Sequence, residues 1–558
     1  MNMKSKDKLN FLKKNIFEII FILIFLIFLL KFSSVLSGQR VTHDSPYQFV
    51  AGDMFWLTAE SLGIMETENL NTRASFLMKG DKEVFNNYPF ILPMIVAELS
   101  FFTGFEVYDI LFHLNIFFMF FIIGSLYLIL RKIHQGIAIA GIPLVLLIYK
   151  WPFNYVLTWG GQMSDTNMFL VFFAIIIFMY LNIRYMFIVL GIVNAAGIFS
   201  HARESLIFNI GILFFFILQL ILKKFDKKLF IKYVLSAIVT VVILSNWLPT
   251  MKNIFGIYGG GQSIIKYCPA KLSSIHVVLL SEFNFLKWVI VTGFFLAVIS
   301  LFFSRISMNK KFGIIMFFTF LFNSYFCVLG NKTSQIRHFF PITLAFFLGF
   351  LIWIILSKIP LNKKFREFGV ISISIIILCV FLFNFFPNSI SEYPVSNPFT
   401  HEAFKWIENN LKNNERILYG YGDNHNQWTL FFLAKKVHDI IDHKDFFNQV
   451  QQRKIVSRFK VRKGSLGYYF KRTSLFNLDY YGIDFFENNT ICDYNYFYFN
   501  KVSQFPVINM YSEKLKDILI DELEFTEVFT NPLVSILKNP DVGGVCFEER
   551  IFVSNIKK

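Results

Sequence analysis

Residues 15–36 read NIFEIIFILIFLIFLLKFSSVL, an almost uninterrupted apolar run. A run of this length crosses roughly 30 Å of hydrocarbon when it folds as an α-helix. Comparable runs recur along the first 386 residues, and 55% of the 558 residues are hydrophobic while only 16% are charged. The sequence therefore predicts a mostly α-helical, polytopic membrane protein.

About eleven membrane-spanning helices are expected from these runs. They cover residues 15–36, 106–130, 135–150, 166–183, 185–200, 204–222, 229–249, 284–303, 312–330, 338–357 and 368–386. Residues 89–104 are also apolar, but they are short and carry Pro89 and Pro93. We predict that this segment lies in the membrane interface or dips partway into the bilayer.

Lys and Arg concentrate on every second connection between the predicted spans, which predicts a cytoplasmic N-terminus. These basic connections are residues 4–14, 131–132, 184, 223–228, 305–311 and 358–366. The opposite, extracytoplasmic side then holds the loop 37–88 and the C-terminal residues 387–558. The net charge of +16 is largely this orientation signal, so no nucleic-acid partner is expected. The first span is too long for a signal-peptide core and is predicted to remain as an anchor.

Residues 387–558 are polar and rich in Asn and Lys, unlike the membrane domain of residues 1–386. Apolar residues on one helical face predict a helix over 401–411, followed by a strand at 416–420. Two further short strands are predicted between residues 525 and 537. A small extracytoplasmic α/β domain is the expected result. Cys492 and Cys546 both lie in it, and spacing alone leaves their pairing open.

The first external loop contains the first candidate for catalysis, Asp53, which is followed by Met-Phe-Trp and then by Glu60. A carboxylate held just above the lipid headgroups can deprotonate an acceptor hydroxyl. The alternative is that Asp53 caps a helix and that the aromatic residues anchor it in the interface. Asp44, within His-Asp-Ser-Pro, is a weaker catalytic candidate because Ser-Pro favours a turn.

Asp165 poses the same choice at the start of the fourth predicted span. Ser164 and Asp165 can cap that helix. Alternatively, Asp165 and the carbonyl oxygen of Asn167 can bind a hard cation such as Mg²⁺ or Mn²⁺, which prefers oxygen ligands.

Several cationic or titratable side chains are predicted on the same face of the membrane. His201 and Arg203 lie at the turn between the fifth and sixth spans, Arg337 and His338 open the tenth span, and Arg73 lies in the first external loop. Arg pairs well with phosphate, and positive charge stabilises a phosphate leaving group. Binding to lipid headgroups is the alternative role.

The order of these motifs resembles the GT-C superfamily of membrane glycosyltransferases, which includes protein O-mannosyltransferases, lipid A aminoarabinose transferases and oligosaccharyltransferase catalytic subunits. The matching residues are Asp53-Met-Phe-Trp with Ala59-Glu60 and Gly63, Tyr88-Pro89 through Pro93, Asp165-Thr-Asn167, Arg337-His338 with Pro341, and Trp406 through Leu411 with Arg416-Ile-Leu. Two features depart from the family pattern. Asn167 replaces the second acid of the oligosaccharyltransferase motif, and the tail has no Trp-Trp-Asp-Tyr-Gly.

The resemblance implies inverting transfer of a sugar from a polyprenyl-phosphate donor to a glycan, lipid or protein acceptor on the extracytoplasmic face. Asp53 would act as the general base. Asp53 and Asp165 would be the ligands of a divalent cation, the one cofactor considered. The residues expected to bind substrate are Glu60, Arg73, Asn167, His201, Arg203, Arg337 and His338.

Other classes of membrane protein remain open at this stage. A transporter or lipid-linked glycan flippase would place ionisable residues near the bilayer midplane. The polar residues that interrupt the spans, among them Asn115, Asn194 and Asn323, carry no charge. A glycan polymerase or ligase, or a non-catalytic assembly protein, would also share the multi-spanning architecture.

Overall fold

The computed structural model describes a helical N-terminal part and a C-terminal part built around a β-sheet. The described residues are 15–38, 52–70, 90–148, 163–180, 185–246, 265–267, 285–303, 306–328, 339–360, 362–384, 398–412, 414–421, 434–436, 438–442, 459–463, 486–489, 491–501, 513–540 and 542.

Each predicted span coincides with a helix. In chain order the helices are α1 (Ile16–Gly38), α2 (Gly52–Thr67), α3 (Ile91–Thr103), α4 (Val107–Ile133), α5 (Gln135–Ile148), α6 (Met163–Tyr180), α7 (Met186–Ile221), α8 (Lys227–Ser245), α9 (Phe285–Phe302), α10 (Met308–Tyr325), α11 (Phe340–Lys358) and α12 (Lys363–Asn384). Within the described residues, Glu204–Ile221, Lys227–Ser245 and Phe340–Lys358 are long and apolar enough to cross a membrane. Shorter apolar helices accompany them, so the figure of eleven spans stays a prediction.

Helix α7 is a hairpin of two antiparallel arms rather than one long rod. His201 has φ −164° and ψ 96°, which interrupts the helix. Asn209 Nδ2 donates a 3.1 Å hydrogen bond to Asn194 Oδ1, although 15 residues separate them in sequence. In a straight helix these residues would lie about 22 Å apart. The chain therefore reverses at His201, as the separate predicted spans 185–200 and 204–222 require.

Aromatic side chains form much of the contact between the helices. Phe178 of α6 lies 4.3 Å from Phe312 of α10 between ring centroids, and Phe317 stacks on Phe346 of α11 at 4.0 Å. Close packing gains dispersion energy that does not depend on excluding water, which suits helices that meet in lipid.

Three of the basic connections meet at one end of the helical bundle. The charge of Lys310 lies close enough to His134 to interact with it electrostatically, and the same holds for Lys224 and Lys311. These residues belong to connections that the charge pattern assigns to one face of the membrane. The structure thus brings them to a common end.

The C-terminal part contains helix α13 (Pro398–Asn410) and a seven-stranded mixed sheet. A separate antiparallel pair is formed by β1 (Ile265–Tyr267) and β2 (Phe326–Val328). The strands of the larger sheet are β3 (Ile417–Tyr421), β4 (His438–Asp442), β5 (Phe459–Lys463), β6 (Phe486–Asn489), β7 (Tyr496–Asn500), β8 (Thr526–Thr530) and β9 (Val534–Lys538). Their order is β6-β5-β4-β3-β7-β9-β8, with β3 parallel to both β4 and β7.

The predicted helix at 401–411 and the predicted strands at 416–420 and within 525–537 are confirmed as α13, β3, β8 and β9. Strands β4 to β7 were not predicted. Helix α13 packs Phe404 against Tyr498 at 5.9 Å between centroids, and its His401 ring contacts Tyr108 of α4 at 6.3 Å. The C-terminal part therefore meets the helical bundle where α4 begins.

Cys492 is buried and forms a disulfide bond, whereas Cys379 is a free thiol. The partner of Cys492 is not among the side chains that the structure describes. Cys546, the partner considered from sequence, lies outside the described residues.

Candidate functional site

The turn of the α7 hairpin lies against the short helix α3. Phe199, next to the turn, packs on Phe90 at the entry to α3, with 5.1 Å between ring centroids. Met94 of α3 and Ile243 near the end of α8 join the same apolar cluster. The predicted interfacial segment is thus confirmed as a helix, and it contacts the bundle beside the turn at His201.

A compact polar unit occupies this turn. His201 Nδ1 donates a short hydrogen bond to Oε2 of Glu204. Asn167 of α6 donates through Nδ2 to the same Oε2 at 3.2 Å and to the carbonyl oxygen of His201. Ser205 Oγ donates to Asn167 Oδ1 at 3.0 Å. Four side chains from two helices therefore form one connected network, which we call the turn network (Asn167, His201, Glu204 and Ser205).

Burial divides this network into an inner and an outer part. The side chains of Asn167, Glu204 and Ser205 are buried, and Glu204 is 0% exposed. The His201 side chain is 17% exposed. A bound molecule can therefore reach His201 but cannot touch Glu204 without rearranging the protein.

A second polar layer lies deeper in the hairpin. Asn194 and Asn209 bridge the two arms, and Tyr233 of α8 donates its hydroxyl to Asn209 Oδ1 at 2.9 Å. Thr240 of α8 donates to the carbonyl oxygen of Gly191 at 3.1 Å. Polar groups in lipid need such internal partners, so this layer fixes the hairpin against α8.

Gly197 allows the two arms to approach closely beside the turn network. A Cβ atom at this position would lie 2.3 Å from Ser205 Oγ and 3.0 Å from Asn167 Oδ1. Both atoms belong to buried side chains that hydrogen-bond to each other. Any larger residue at position 197 must push them apart.

The two main acidic candidates each lie in the first turn of a helix. Asp53 follows the first residue of α2, and Asp165 is the third residue of α6. Their side chains are not among those described, and the same holds for Arg203 at the start of the second arm of α7. Glu60 lies in α2 and is 2% exposed. Asp44, Arg73, Arg337 and His338 lie outside the described residues.

Asn167 has a different environment from the one expected of a cation ligand. It is fully buried, and both ends of its amide are engaged by His201, Glu204 and Ser205. Its carbonyl oxygen accepts a hydroxyl proton instead of facing an open site. Among the described side chains, no group of three or more His, Cys, Asp or Glu residues is placed to hold a metal ion.

Glu204, Ser205 and Asn209 were not selected as site residues from the sequence. Two features of the sequence could have pointed to them. Glu204 follows His201 at the i,i+3 spacing of one helical face. Asn194 and Asn209 lie nearly the same number of residues from the turn, one on each side. Neither feature identifies Asn167 as the partner from another helix.

A further ionic cluster supports the sheet. Arg416 pairs with the buried Asp439 of β4 at 2.6 Å, and Tyr494 donates its hydroxyl to the same carboxylate at 3.0 Å. Burial lowers the pKa of the neighbouring His438 below its usual value. These groups join β4 to the segments that precede β3 and β7, so we regard them as structural.

Solved structures provide the comparison that decides the fold. ArnT from Cupriavidus metallidurans, bound to undecaprenyl phosphate, aligns over 93% of this chain and 99% of its own length, with 12% identity and a TM-score of 0.52. The chain has the same fold as ArnT. The resemblance inferred from the motifs is thereby confirmed at the level of fold.

Archaeal oligosaccharyltransferases give a second, partial comparison. AglB from Archaeoglobus fulgidus, in complex with an inhibitory peptide and a dolichol-phosphate, aligns over 76% of this chain with 10% identity and a TM-score of 0.52. The apo form of the oligosaccharyltransferase from the same organism gives 10% identity, 75% of this chain and a TM-score of 0.51. The chain spans 64% of the length of each. The sequence matches no protein-family model and no curated protein.

Proposed function

We propose that this protein is a membrane glycosyltransferase that transfers a sugar from a polyprenyl-phosphate carrier to an acceptor on the extracytoplasmic face. One observation carries the proposal: the chain shares the fold of ArnT over nearly the full length of both proteins. The ArnT structure contains bound undecaprenyl phosphate. We propose the same class of lipid carrier as the sugar donor here because the two chains share a fold.

In the proposed reaction, the Asp53 carboxylate accepts the proton of an acceptor hydroxyl. The acceptor oxygen then forms a bond to the anomeric carbon as the bond from that carbon to the phosphate oxygen breaks. Polyprenyl phosphate leaves, and the configuration at the anomeric carbon is inverted. General-base assistance of this kind typically contributes about 10²–10⁴-fold to a rate.

The substrate-binding roles are proposed for residues near the turn and for residues that the charge pattern predicts on the extracytoplasmic side. His201 contacts the phosphate, and Arg203, Arg337, His338 and Arg73 supply further positive charge as the phosphate leaves. Glu60, expected from the sequence to bind substrate, is buried, so it is assigned to supporting the acceptor-binding loop from within α2. A divalent cation, Mg²⁺ or Mn²⁺, is proposed at Asp53 and Asp165. Asp44 is the alternative catalytic carboxylate. Because its amide is already engaged, Asn167 is assigned to positioning the turn instead of the donor.

We also propose that the turn and the C-terminal part face the outside of the cell membrane, with the N-terminus in the cytoplasm. The disulfide at Cys492 supports this orientation because disulfides persist in oxidising compartments. The common position of the basic connections at the other end of the bundle supports it as well.

The proposal is tested with full-length protein in nanodiscs, supplied with radiolabelled polyprenyl-phosphate hexoses and a membrane extract as acceptor. Asp53→Asn removes the base and keeps the side-chain volume, so we expect label transfer to fall by at least about 10²-fold. Asp165→Asn is compared in parallel with and without added Mg²⁺ or Mn²⁺.

Glu98→Gln serves as the matched control, because Glu98 lies on the exposed face of α3 and has no assigned role. Transfer by the control should equal that of the wild type. Full transfer by the Asp53→Asn variant would remove Asp53 as the base. Absence of transfer by the wild type with every hexose donor would count against the proposed activity itself.

A further inference from the structure

We infer that Glu204 is a positioning residue that orients His201 toward a lipid-linked phosphate, an inference that rests on the proposed function for the identity of the phosphate. Glu204 is not the group that meets the ligand. It is buried beneath His201, and its effect on binding passes through the imidazole ring.

The hydrogen-bond network fixes which ring nitrogen faces the carboxylate. Glu204 Oε2 accepts from His201 Nδ1 and from Asn167 Nδ2. An ionised carboxylate accepts hydrogen bonds and does not donate them, so it pairs with the tautomer that carries the proton on Nδ1. A phosphate at the exposed edge of the ring then meets Nε2, the ring nitrogen that faces away from Glu204.

Asn167 in turn holds the carboxylate in place. Its Nδ2 also donates to the carbonyl oxygen of His201, which can only accept. The amide therefore has one possible orientation, with Oδ1 toward Ser205, and the 3.0 Å hydrogen bond from Ser205 Oγ agrees with it. Ser205 therefore donates to Asn167, and Asn167 donates to Glu204.

This arrangement matches the way proteins fix a functional histidine. A carboxylate that accepts from one ring nitrogen sets the tautomer and the direction of the other. The carboxylate here is 0% exposed while the histidine is 17% exposed, so only the histidine is presented to a ligand. Burial of Glu204 also strengthens the hydrogen bond by excluding water.

The test measures the affinity of full-length protein in nanodiscs for undecaprenyl phosphate. The variants are His201→Ala, Glu204→Ala and the double variant. We expect each single variant to weaken binding by about tenfold, the effect of losing one charge-assisted hydrogen bond. The double variant should lose no more than either single variant, because Glu204 acts through His201.

Glu204→Gln distinguishes positioning from a general structural effect. Its amide oxygen can accept both hydrogen bonds that Oε2 now accepts, so this variant should bind within about twofold of the wild type if orientation is the role of Glu204. Tyr233→Phe is the matched control, since it removes one hydroxyl from the deeper polar layer without touching the turn network. Thermal unfolding of every variant reports on folding.

Two outcomes would overturn the inference: losses that multiply in the double variant, or a wild-type protein that does not bind undecaprenyl phosphate. Hexose transfer is assayed separately on the same samples. Coupled losses in lipid binding without hexose transfer would count against the proposed activity while the positioning role stands.

Discussion

At the scale of single residues, the site depends on polar groups that are buried with their partners. Leaving such a group unsatisfied in an apolar environment costs several kcal/mol, roughly 2–7 for an amide or hydroxyl. Asn167 shows the consequence. From the sequence it is the oxygen ligand two residues after Asp165, but in the structure its amide joins α6 to the α7 turn. The sequence identifies the residue type, and only its neighbours identify its role.

Gly197 provides a test at this scale. We expect Gly197→Ala to destabilise the protein by about 1–3 kcal/mol, because the added methyl group overlaps Ser205 and Asn167 in a packed site. Thermal unfolding in detergent measures the effect, and lipid-phosphate binding should weaken with it.

Gly124→Ala is the control for that experiment. A Cβ atom at Gly124, inside α4, meets no atom within 4 Å. This variant should therefore be neutral or slightly more stable, since Ala favours helix more than Gly. Equal effects of the two substitutions would contradict the crowding described for Gly197.

At the scale of secondary-structure elements, the α7 hairpin decides which residues meet. Hydrophobic runs predict the two arms, and His201 with Arg203 marks the turn between them. The pairing of Asn194 with Asn209 follows from the reversal at His201, where the backbone leaves helical geometry. Helix α13 and strands β3, β8 and β9 could be predicted from the sequence because each has a local apolar pattern. Strands β4 to β7 depend on partners far away in sequence.

A disulfide cross-link tests the hairpin directly. We expect Asn194→Cys combined with Asn209→Cys to form a disulfide under mild oxidation, because these side chains face each other across the arms. The background would carry Ser at the free thiol Cys379. Mass spectrometry of the digested protein identifies the linked peptides.

The two single-cysteine variants are the controls and should yield no such link. A continuous helix would separate these positions by about 22 Å, far beyond disulfide reach. Absence of the link in a folded double variant would therefore contradict the reversal at His201.

At the scale of the whole molecule, the chain collects its basic connections at one end and the turn network at the other. The charge pattern in the sequence anticipates the first arrangement, since Lys224, Lys310 and Lys311 gather as predicted. The C-terminal sheet joins the bundle through α13, where His401 contacts Tyr108. The fold shared with ArnT extends over 93% of the chain and so includes both parts.

Orientation is the prediction that belongs to this scale. In intact cells, a membrane-impermeant maleimide should label an Asn409→Cys variant without permeabilisation, because position 409 is exposed on α13. The wild-type protein is the control and should take up less label, since its Cys492 is buried and disulfide-bonded. Labelling that requires a permeabilised membrane would place the C-terminal part in the cytoplasm and contradict the proposed orientation.

The sequence by itself determined the helical membrane architecture, the end at which basic residues collect and the acidic candidates Asp53 and Asp165, because hydropathy, charge and residue type are local properties. Only the tertiary structure decided that Asn167 and Glu204 form one unit with His201, and that the two arms of α7 pair through Asn194 and Asn209. Those contacts join residues 34 to 37 positions apart between α6 and α7 and 15 apart across the turn. Such distances in sequence carry no periodic signal, so the partners become visible only when the helices pack.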